Sequence, residues 1–457
     1  MNVLFAIKDL ETECLSIMYL SSILKKAGHK VDIVEARYDK IKKKLKSDNF
    51  STLAYSVPSQ LARYYLNLNQ RIKEEFKIFS VFGGPHFTYF PEAIQESGVD
   101  GICIGEGDYA LLDLVNNSDA GKPITHIENW WIKIDGNIFR NPPRPLIKNL
   151  DELPFPDRKL FSSQYPAAYI TASRGCTRRC SYCTEKGAFR QRSIDNVIEE
   201  LRQIKSKRQT NFLYFTDSTF GLSLSWLREF SEIYKKGIGL PFFCFICADL
   251  VTPERMRYLK NAGCQQVFMG GETANEYLQD KIFKKKASKE QLVSAAEIIK
   301  KEKIRLTISN IIGIPFGSLE DDLETLRLNI RCRPDYAKAN ILRLYRGSEL
   351  YNLVCKDPRF KLFNMPPKDY YLSVDMLDHY EALKIKRLAN LFGLAVAFPF
   401  LFPMIKFLLR LPINRLCGYL YFIWRGFCSY FRLCDRHTGW KGFVIGLKRY
   451  LKMLKEV

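Results

Sequence analysis

Acidic residues all but disappear from the last sixth of this 457-residue chain: positions 384–457 hold 14 Lys and Arg against two Asp and Glu. That segment alone supplies +12 of the formal net charge of +21, so the basic excess belongs to a tail and not to the whole surface. Its sign suits nucleic acid, anionic lipid or anionic small molecules. Long apolar runs are scarce too. Residues 388–405 are 18 positions without a charge, which only reaches the lower limit of a membrane span, and Pro399 and Pro403 interrupt them. A clean crossing fits less well. A short hairpin or interfacial helix at a membrane surface is the favoured reading, and a buried helical cap the alternative. The thirteen cysteines lack the regular spacing of a disulfide framework. Met1 leads directly into the strand-like stretch 2–7, without a basic region or cleavage site, so a reducing cytoplasm is expected. With 47% hydrophobic and 26% charged residues the composition is globular, and the length suffices for two or three cores.

From residue 2 to about 116, short apolar runs at 3–7, 31–34, 52–56, 78–82 and 101–105 alternate with amphipathic stretches. This pattern predicts a doubly wound parallel sheet of the Rossmann-like kind, whose ligands sit beyond the carboxyl ends of the strands. Around 130–141 a hairpin is expected, with Asp135-Gly136 at its turn. The prolines of Asn141-Pro-Pro-Arg-Pro145 and Pro154-Phe-Pro-Asp157 then mark a linker. A second alternation has strands near 168–172, 212–216, 242–248, 266–270, 305–313 and 338–344. It predicts a partial (β/α)6 barrel of the TIM type, with its chemistry at the strand C-termini. The expected organisation is a ligand-binding domain over 1–140, a linker over 141–165, a barrel over 166–352 and a helical, basic-aromatic region over 353–457.

Just after the first barrel strand stands Cys176-Thr-Arg-Arg-Cys180-Ser-Tyr-Cys183. Structural zinc normally takes four ligands, and no fourth Cys or His lies nearby, so a closed zinc site is the weaker reading. Three thiolates on a four-iron cluster leave one iron open to chelate a substrate. The spacing, the loop and Tyr182 resemble the cluster loop of the radical S-adenosylmethionine enzymes. Three further motifs resemble that family in order and spacing: Tyr214-Phe-Thr-Asp217, Met269-Gly270-Gly271-Glu272-Thr273 and Ile311-Ile-Gly313-Ile-Pro315. Leu344-Tyr-Arg-Gly347 is similar to its closing motif, although Arg346 stands where proline is usual. The resemblance implies a 4Fe-4S cluster on the three cysteines and S-adenosylmethionine contacts at Tyr182, Asp217, Gly270, Gly271, Glu272, Gly313 and Pro315. Physically, strand-end glycines admit a flat adenine or ribose close to the backbone, and Glu272 offers acceptors to an ammonium or hydroxyls. The implied reaction is reductive cleavage of S-adenosylmethionine to a 5′-deoxyadenosyl radical, with the electron coming from a reductase, flavodoxin or ferredoxin.

Ahead of the barrel, Gly83-Gly84-Pro-His86-Phe-Thr88 and Gly105-Glu106-Gly107 follow the fourth and fifth strands, and Ser56 ends the third. With Pro154-Phe-Pro-Asp157 these resemble the cobalamin-binding domain fused to many such enzymes, which implies cobalamin contacts at Ser56, Gly83, Gly84, His86, Thr88, Gly105 and Glu106. The Asp-x-His-x-x-Gly signature of an axial ligand is missing, so His86 is expected near the corrin or nucleotide tail and not on cobalt. The resemblance as a whole implies cobalamin-dependent methylation of an unactivated carbon. The tail points to a small-molecule or lipid substrate and a peripheral location at the inner face of the cytoplasmic membrane. Cobalamin-dependent cyclisation or rearrangement, or cobalamin-independent radical chemistry, are the alternatives. A methylthiotransferase of tRNA expects a second N-terminal cysteine trio, where this chain has only Cys14 and Cys103, so no nucleic acid is expected. A non-enzymatic sensor or scaffold would not need the open-iron trio. Three features are expected to be structural: Cys244-x-x-Cys247 as core packing, Asp435-Arg-His437, and the solvated runs 42–46 and 284–286.

Overall fold

The computed structural model describes residues 1–161, 165–185, 187–207, 209–360, 371–373, 379–433 and 437–455. Its residues group into two compact units, one over 1–164 and the other over 165–365 and 371–457.

In the first unit, β1 (Asn2–Ile7), β2 (Lys30–Glu35), β3 (Thr52–Ser56), β4 (Phe79–Gly83) and β5 (Gly101–Cys103) are parallel, in the order 2-1-3-4-5. The hairpin β6 (Trp130–Ile134) and β7 (Asn137–Arg140) extends the β5 edge antiparallel, turning at Asp135-Gly136 as expected. Helices α1 (Leu15–Lys26), α2 (Tyr38–Ser47), α3 (Ala62–Lys73), α4 (Pro85–Tyr89) and α5 (Asp108–Asp119) fill the crossovers. Strand β1 is apolar throughout because both of its faces are covered. Val3 and Phe5 pack with Ile17, Met18 and Leu111 on one side, whereas Leu4 and Ala6 join Tyr65, Leu68 and Ile72 on the other. Strand order reverses between β1 and β3, and at such a switch point the loops at the carboxyl ends diverge and open a crevice.

The second unit is built on six parallel strands in sequence order: β8 (Ala167–Ile170), β11 (Phe212–Phe215), β12 (Phe242–Ile246), β13 (Cys264–Glu272), β14 (Arg305–Ile312) and β15 (Tyr336–Ile341). Two short strands, β9 (Ser173–Arg174) and β10 (Arg190–Gln191), pair antiparallel just beyond β8. Helices α6 (Ile194–Lys207), α7 (Leu224–Gly237), α8 (Pro253–Ala262), α9 (Lys289–Lys301) and α10 (Leu319–Cys332) coat the outer face, with α11 (Glu349–Lys356) following. Alternation places Leu213, Phe215, Cys244 and Val267 in that outer core. Phe212, Tyr214, Phe243, Phe245 and Phe268 form a separate aromatic cluster on the other face. Together the two units are the expected doubly wound sheet and partial barrel.

Four helices close the chain: α12 (His379–Ala397), α13 (Phe402–Leu408), α14 (Asn414–Phe427) and α15 (Gly439–Lys455). The charge-free stretch 388–405 is divided at Pro399. Its first half lies in α12, where Leu388, Leu391, Phe392 and Ala395 are buried against Leu323, Leu326 and Ala337 of the barrel. That half is therefore a barrel cap, because an apolar helix with a complementary sheet edge beside it buries there. Gly393 marks the closest approach: a Cβ on it would stand 2.7 Å from the Ala337 carbonyl oxygen. Among the described residues no helix is long and apolar enough to cross a membrane.

Candidate active site

The cysteine loop is a closed excursion from the top of β8. Its stem is the β9–β10 pair, where Arg174 registers with Arg190. Gly175 opens the loop at φ +82°, and a Cβ there would sit 2.2 Å from the Ala188 carbonyl oxygen, so only glycine fits between the two limbs. The Cys176 amide donates to Gly187 O at 3.2 Å and the Cys183 amide to Cys180 O at 3.1 Å. Ser181 pins the loop to its surroundings. Its amide donates to Phe283 O at 3.0 Å, its hydroxyl donates to Ile282 O, and its carbonyl accepts from the Leu350 amide at 2.9 Å.

Cys176, Cys180 and Cys183 are all half-buried and unoxidised. Two of the sulfurs accept a backbone N–H: Arg178 N to Cys176 Sγ and Glu185 N to Cys183 Sγ, each at 3.4 Å. Burial pushes the Cys180 and Cys183 thiols up, so holding them as thiolates calls for a strong local positive charge. Among the described residues no three Cys, His, Asp or Glu side chains form a group fit for a single metal ion. Three thiols spread along one loop, with amide donors to the sulfurs, are the donor set of a larger iron–sulfur unit, whose sulfurs such hydrogen bonds tune.

Beside the loop, β13 and β14 shift register between Gly270 and Glu272, and Glu272 takes φ +53°. A bulge of this kind re-aims a side chain at a strand end. The Glu272 carboxylate accepts from Lys285 Nζ at 2.5 Å and from the Tyr182 hydroxyl at 3.1 Å, and Lys285 Nζ also donates to Gly270 O at 3.0 Å. Tyr182 lies edge-on to Phe283 at 4.7 Å. Burial alone would lower the Lys285 ammonium, but the Glu272 carboxylate outweighs it and the net shift is upward. Burial, reinforced by that carboxylate, raises the Tyr182 phenol. The triad thus ties Tyr182, which lies between Cys180 and Cys183, to the end of β13.

Gly270 has a steric role of its own. A Cβ there would fall 2.3 Å from Glu272 Oε1 and 2.5 Å from Lys285 Nζ, so the glycine makes room for the ion pair. On Gly271 it would meet Asn310 Oδ1 and Ile308 Cγ2, both at 2.9 Å. Asp217 turns inward: it accepts from the Ala172 amide at 3.0 Å and from the Ser173 hydroxyl, and burial lifts it to about 6 against those bonds. Its carboxylate therefore braces the strand that launches the loop. Gly313, at φ +67°, donates its amide to Asp322 at 3.0 Å, and burial lifts that carboxyl to about 7. Pro315 follows the buried Ile314 in the same turn.

Lys285 is the residue that sequence reasoning missed. It belongs to the run 284–286 expected to be solvated, yet its side chain is only 13% exposed while Lys284 and Lys286 face solvent. The clue was its position after an apolar Ile282-Phe283 pair that had to bury. Cys244 is core, 3.9 Å from the Cys264 sulfur, but Cys247 lies past the end of β12, where its sulfur is 3.4 Å from the Thr219 hydroxyl. His437 stacks on Phe212 at 5.6 Å, in keeping with a structural role, and Asp435 and Arg436 lie outside the described residues.

In the first unit, Ser56 and Gly83 pair at the ends of β3 and β4. Gly84 follows at φ +93°, where a Cβ would stand 2.7 Å from the Val57 amide nitrogen. Thr88 joins two loops: its hydroxyl donates to Gly84 O and accepts from the Gly105 amide, both at 3.1 Å. Glu106 is spent locally, its carboxylate accepting from the Ile147 amide at 3.0 Å. His86 is fully buried, stacked on Phe90 at 4.7 Å with Nδ1 3.3 Å from Ser59 Oγ, and burial pulls its imidazole down to about 4. Gly105 behaves otherwise. It is exposed at φ +82°, and a Cβ on it would meet nothing within 4 Å, so bare backbone faces open space at the strand ends. A broad planar ligand fits against backbone of that kind, on a floor that the Thr88 bridge holds rigid.

Residues 170–328 match the Radical SAM superfamily model and residues 4–115 match the B12 binding domain model. A relative described as an uncharacterised methyltransferase, from Pyrococcus horikoshii, is 26% identical over 82% of this chain and 85% of its own length. The cobalamin-dependent S-adenosylmethionine radical enzyme OxsB, solved with aqua-cobalamin bound, shares the fold at a TM-score of 0.71 and 18% identity, over 99% of this chain and 75% of that one. The radical S-adenosylmethionine methyltransferase TsrM from Kitasatospora setae, with cobalamin and a [4Fe-4S] cluster, gives 0.67 at 16% identity, over 78% of this chain and 74% of the other.

Proposed function

The chain belongs to the cobalamin-dependent radical S-adenosylmethionine enzymes, joining a B12-binding domain to a radical SAM domain, and from that premise we propose that it methylates an unactivated carbon of a small or lipid-linked molecule. The observation that carries this reading is the cysteine loop locked to the bulged end of β13 through Tyr182, Glu272 and Lys285. When bound, the cluster supplies the electron that cleaves S-adenosylmethionine, and cobalamin supplies a carrier for the methyl group.

The chain's own residues do the remaining work. Cys176, Cys180 and Cys183 would hold the cluster, and Gly175 and Ser181 fix the shape of their loop. Tyr182, Glu272 and Lys285 form a charged, largely buried wall beside that loop. In that wall Lys285 attracts a substrate carboxylate and Glu272 an ammonium, the two ends of an amino acid, while the strand-end turn at Gly313 and Pro315 borders the nucleoside. Asp217 braces the β8 strand end. In the first unit, Gly105 and the loops after β3 and β4 receive cobalamin on backbone. His86, buried and neutral, would shape the floor of that cradle. The exposed Arg179 in the cysteine loop suits an acidic flavodoxin or ferredoxin as electron donor.

Anaerobic loading with iron, sulfide and hydroxocobalamin, followed by a reductant and S-adenosylmethionine labelled in its methyl group, tests the reading. The expected result is stoichiometric corrin, about four irons per chain, 5′-deoxyadenosine, and label in a product carbon. Deoxyadenosine without label transfer would turn the assignment to ring formation or rearrangement. A cluster without corrin would remove cobalamin from it.

A further inference from the structure

Eleven of the seventeen large apolar side chains that stand strongly exposed among the described residues fall between Phe398 and Leu447. They are ordered. On α14, Cys417 and Trp424 turn inward, as does Cys428 just after it, while Leu416, Tyr419, Ile423 and Phe427 form a second stripe that faces solvent, with Ile423 at 69%. The preceding turn and α13 repeat the arrangement: Ile405 is buried, whereas Phe400, Met404 and Phe407 are 52–72% exposed. Trp440, at the start of α15, is 71% exposed. A helix that already has a buried stripe needs no second apolar face to fold, and a soluble surface seldom concentrates aromatic rings in this way.

The charge around these stripes selects the occupant. Arg415, Arg425 and Lys448 are exposed on the same helices and Arg410 just past α13, beside Lys406, which pairs with Glu320 at 2.8 Å, and the sequence from 384 onward has only two acidic residues. Such a face would repel a second copy of itself. A protein partner would have to offer a broad apolar surface with an acidic rim. An anionic bilayer offers both: apolar depth for Phe400, Ile423 and Trp440, and a headgroup plane for the cations. With no helix suited to crossing among the described residues, the contact lies in the interface. We infer that α13, α14 and α15 form a docking face for anionic lipid, which seats the second unit on a membrane surface. The inference rests on exposure and charge, independently of the reaction proposed above, and it names where a lipid-linked substrate would be met.

Flotation of the loaded full-length protein with vesicles tests it. Phosphatidylcholine alone is compared with phosphatidylcholine containing about one-third phosphatidylglycerol. Binding at least about tenfold stronger to the anionic vesicles, and weakened by about 0.5 M salt, is expected. Ile423→Glu with Phe427→Glu removes the apolar stripe, and Arg415→Glu with Arg425→Glu removes the charge. Each pair is expected to lower binding at least about fivefold while cluster content and deoxyadenosine formation stay at the parent level. Equal binding to both vesicles, or none to either, overturns the inference. So does a dimer in solution that the Ile423→Glu, Phe427→Glu pair dissociates, since a second copy would then cover the face. Loss of deoxyadenosine formation in the parent protein would instead count against the reaction, whatever the vesicles show.

Discussion

Lys285 shows how much one largely buried ammonium at the end of β13 decides. Replacing it with alanine leaves the Glu272 carboxylate, 10% exposed, with Tyr182 as its remaining partner. Stripping one member from such a pair costs about 3 kcal/mol, so Lys285→Ala is expected to lower the urea midpoint and to slow deoxyadenosine formation by roughly tenfold or more, with Lys285→Arg recovering part of both. Cys183→Ala has a sharper expected outcome: the iron–sulfur absorbance disappears and deoxyadenosine formation falls to about 1% or less of the parent rate. His86 gives a pH signature. Its folded imidazole titrates at about 4, against about 6.5 when unfolded. As pH falls below 6.5 the unfolded chain gains a proton that the folded chain refuses until pH 4. Stability is therefore undiminished by this group above 6.5 and drops by up to about 3 kcal/mol across that window. Urea titrations of the parent and His86→Phe at pH 7 and pH 4.5 should differ by that loss, the raised carboxyls of Asp217 and Asp322 contributing equally to both proteins.

At the level of elements, the β9–β10 stem and the α12 cap carry separable loads. Gly175→Ala forces a Cβ toward the Ala188 carbonyl and the loop must shift, yet no barrel core residue is touched. The variant should lose most of its bound iron while its thermal midpoint stays close to the parent's. Phe392→Ala does the reverse. It opens a cavity between α12 and the α10–β15 edge, costs about 4 kcal/mol, and is expected to lower the unfolding midpoint while folded protein keeps its cluster. The parallel strands were legible in the sequence because each is covered on both faces and so reads as a short apolar run between turn residues. The cysteine loop was legible because its three cysteines fall within eight consecutive residues just past a strand. The two-residue stem was not, since pairs of that length leave no periodicity. The first half of 388–405 was misread as membrane-seeking because composition registers how apolar a helix is, and only the neighbouring β15 edge shows what covers it. Lys285 was hidden by its neighbours, two lysines that do face solvent.

At the scale of the whole molecule, each unit is built around its own apolar core. Val3, Leu4 and Phe5 organise the first, and Leu213, Phe215 and Val267 the second. Every residue argued to hold the cluster or to form the wall beside its loop lies after residue 165, and every residue argued to receive cobalamin lies before it. A chain beginning at Tyr165 therefore retains the cysteine loop, the Tyr182–Glu272–Lys285 triad and the α12 cap. It is expected to bind about four irons and to release deoxyadenosine when reduced with S-adenosylmethionine, but to transfer no methyl label and bind no corrin. The complementary piece, 1–164, is expected to bind hydroxocobalamin without iron, which the corrin spectrum reads directly. If the barrel fragment took up corrin, or the first unit bound none, the assignment of cobalamin to the strand ends around Gly105 would fail. Cluster and S-adenosylmethionine cleavage on the second unit would stand regardless, because their residues are all present there.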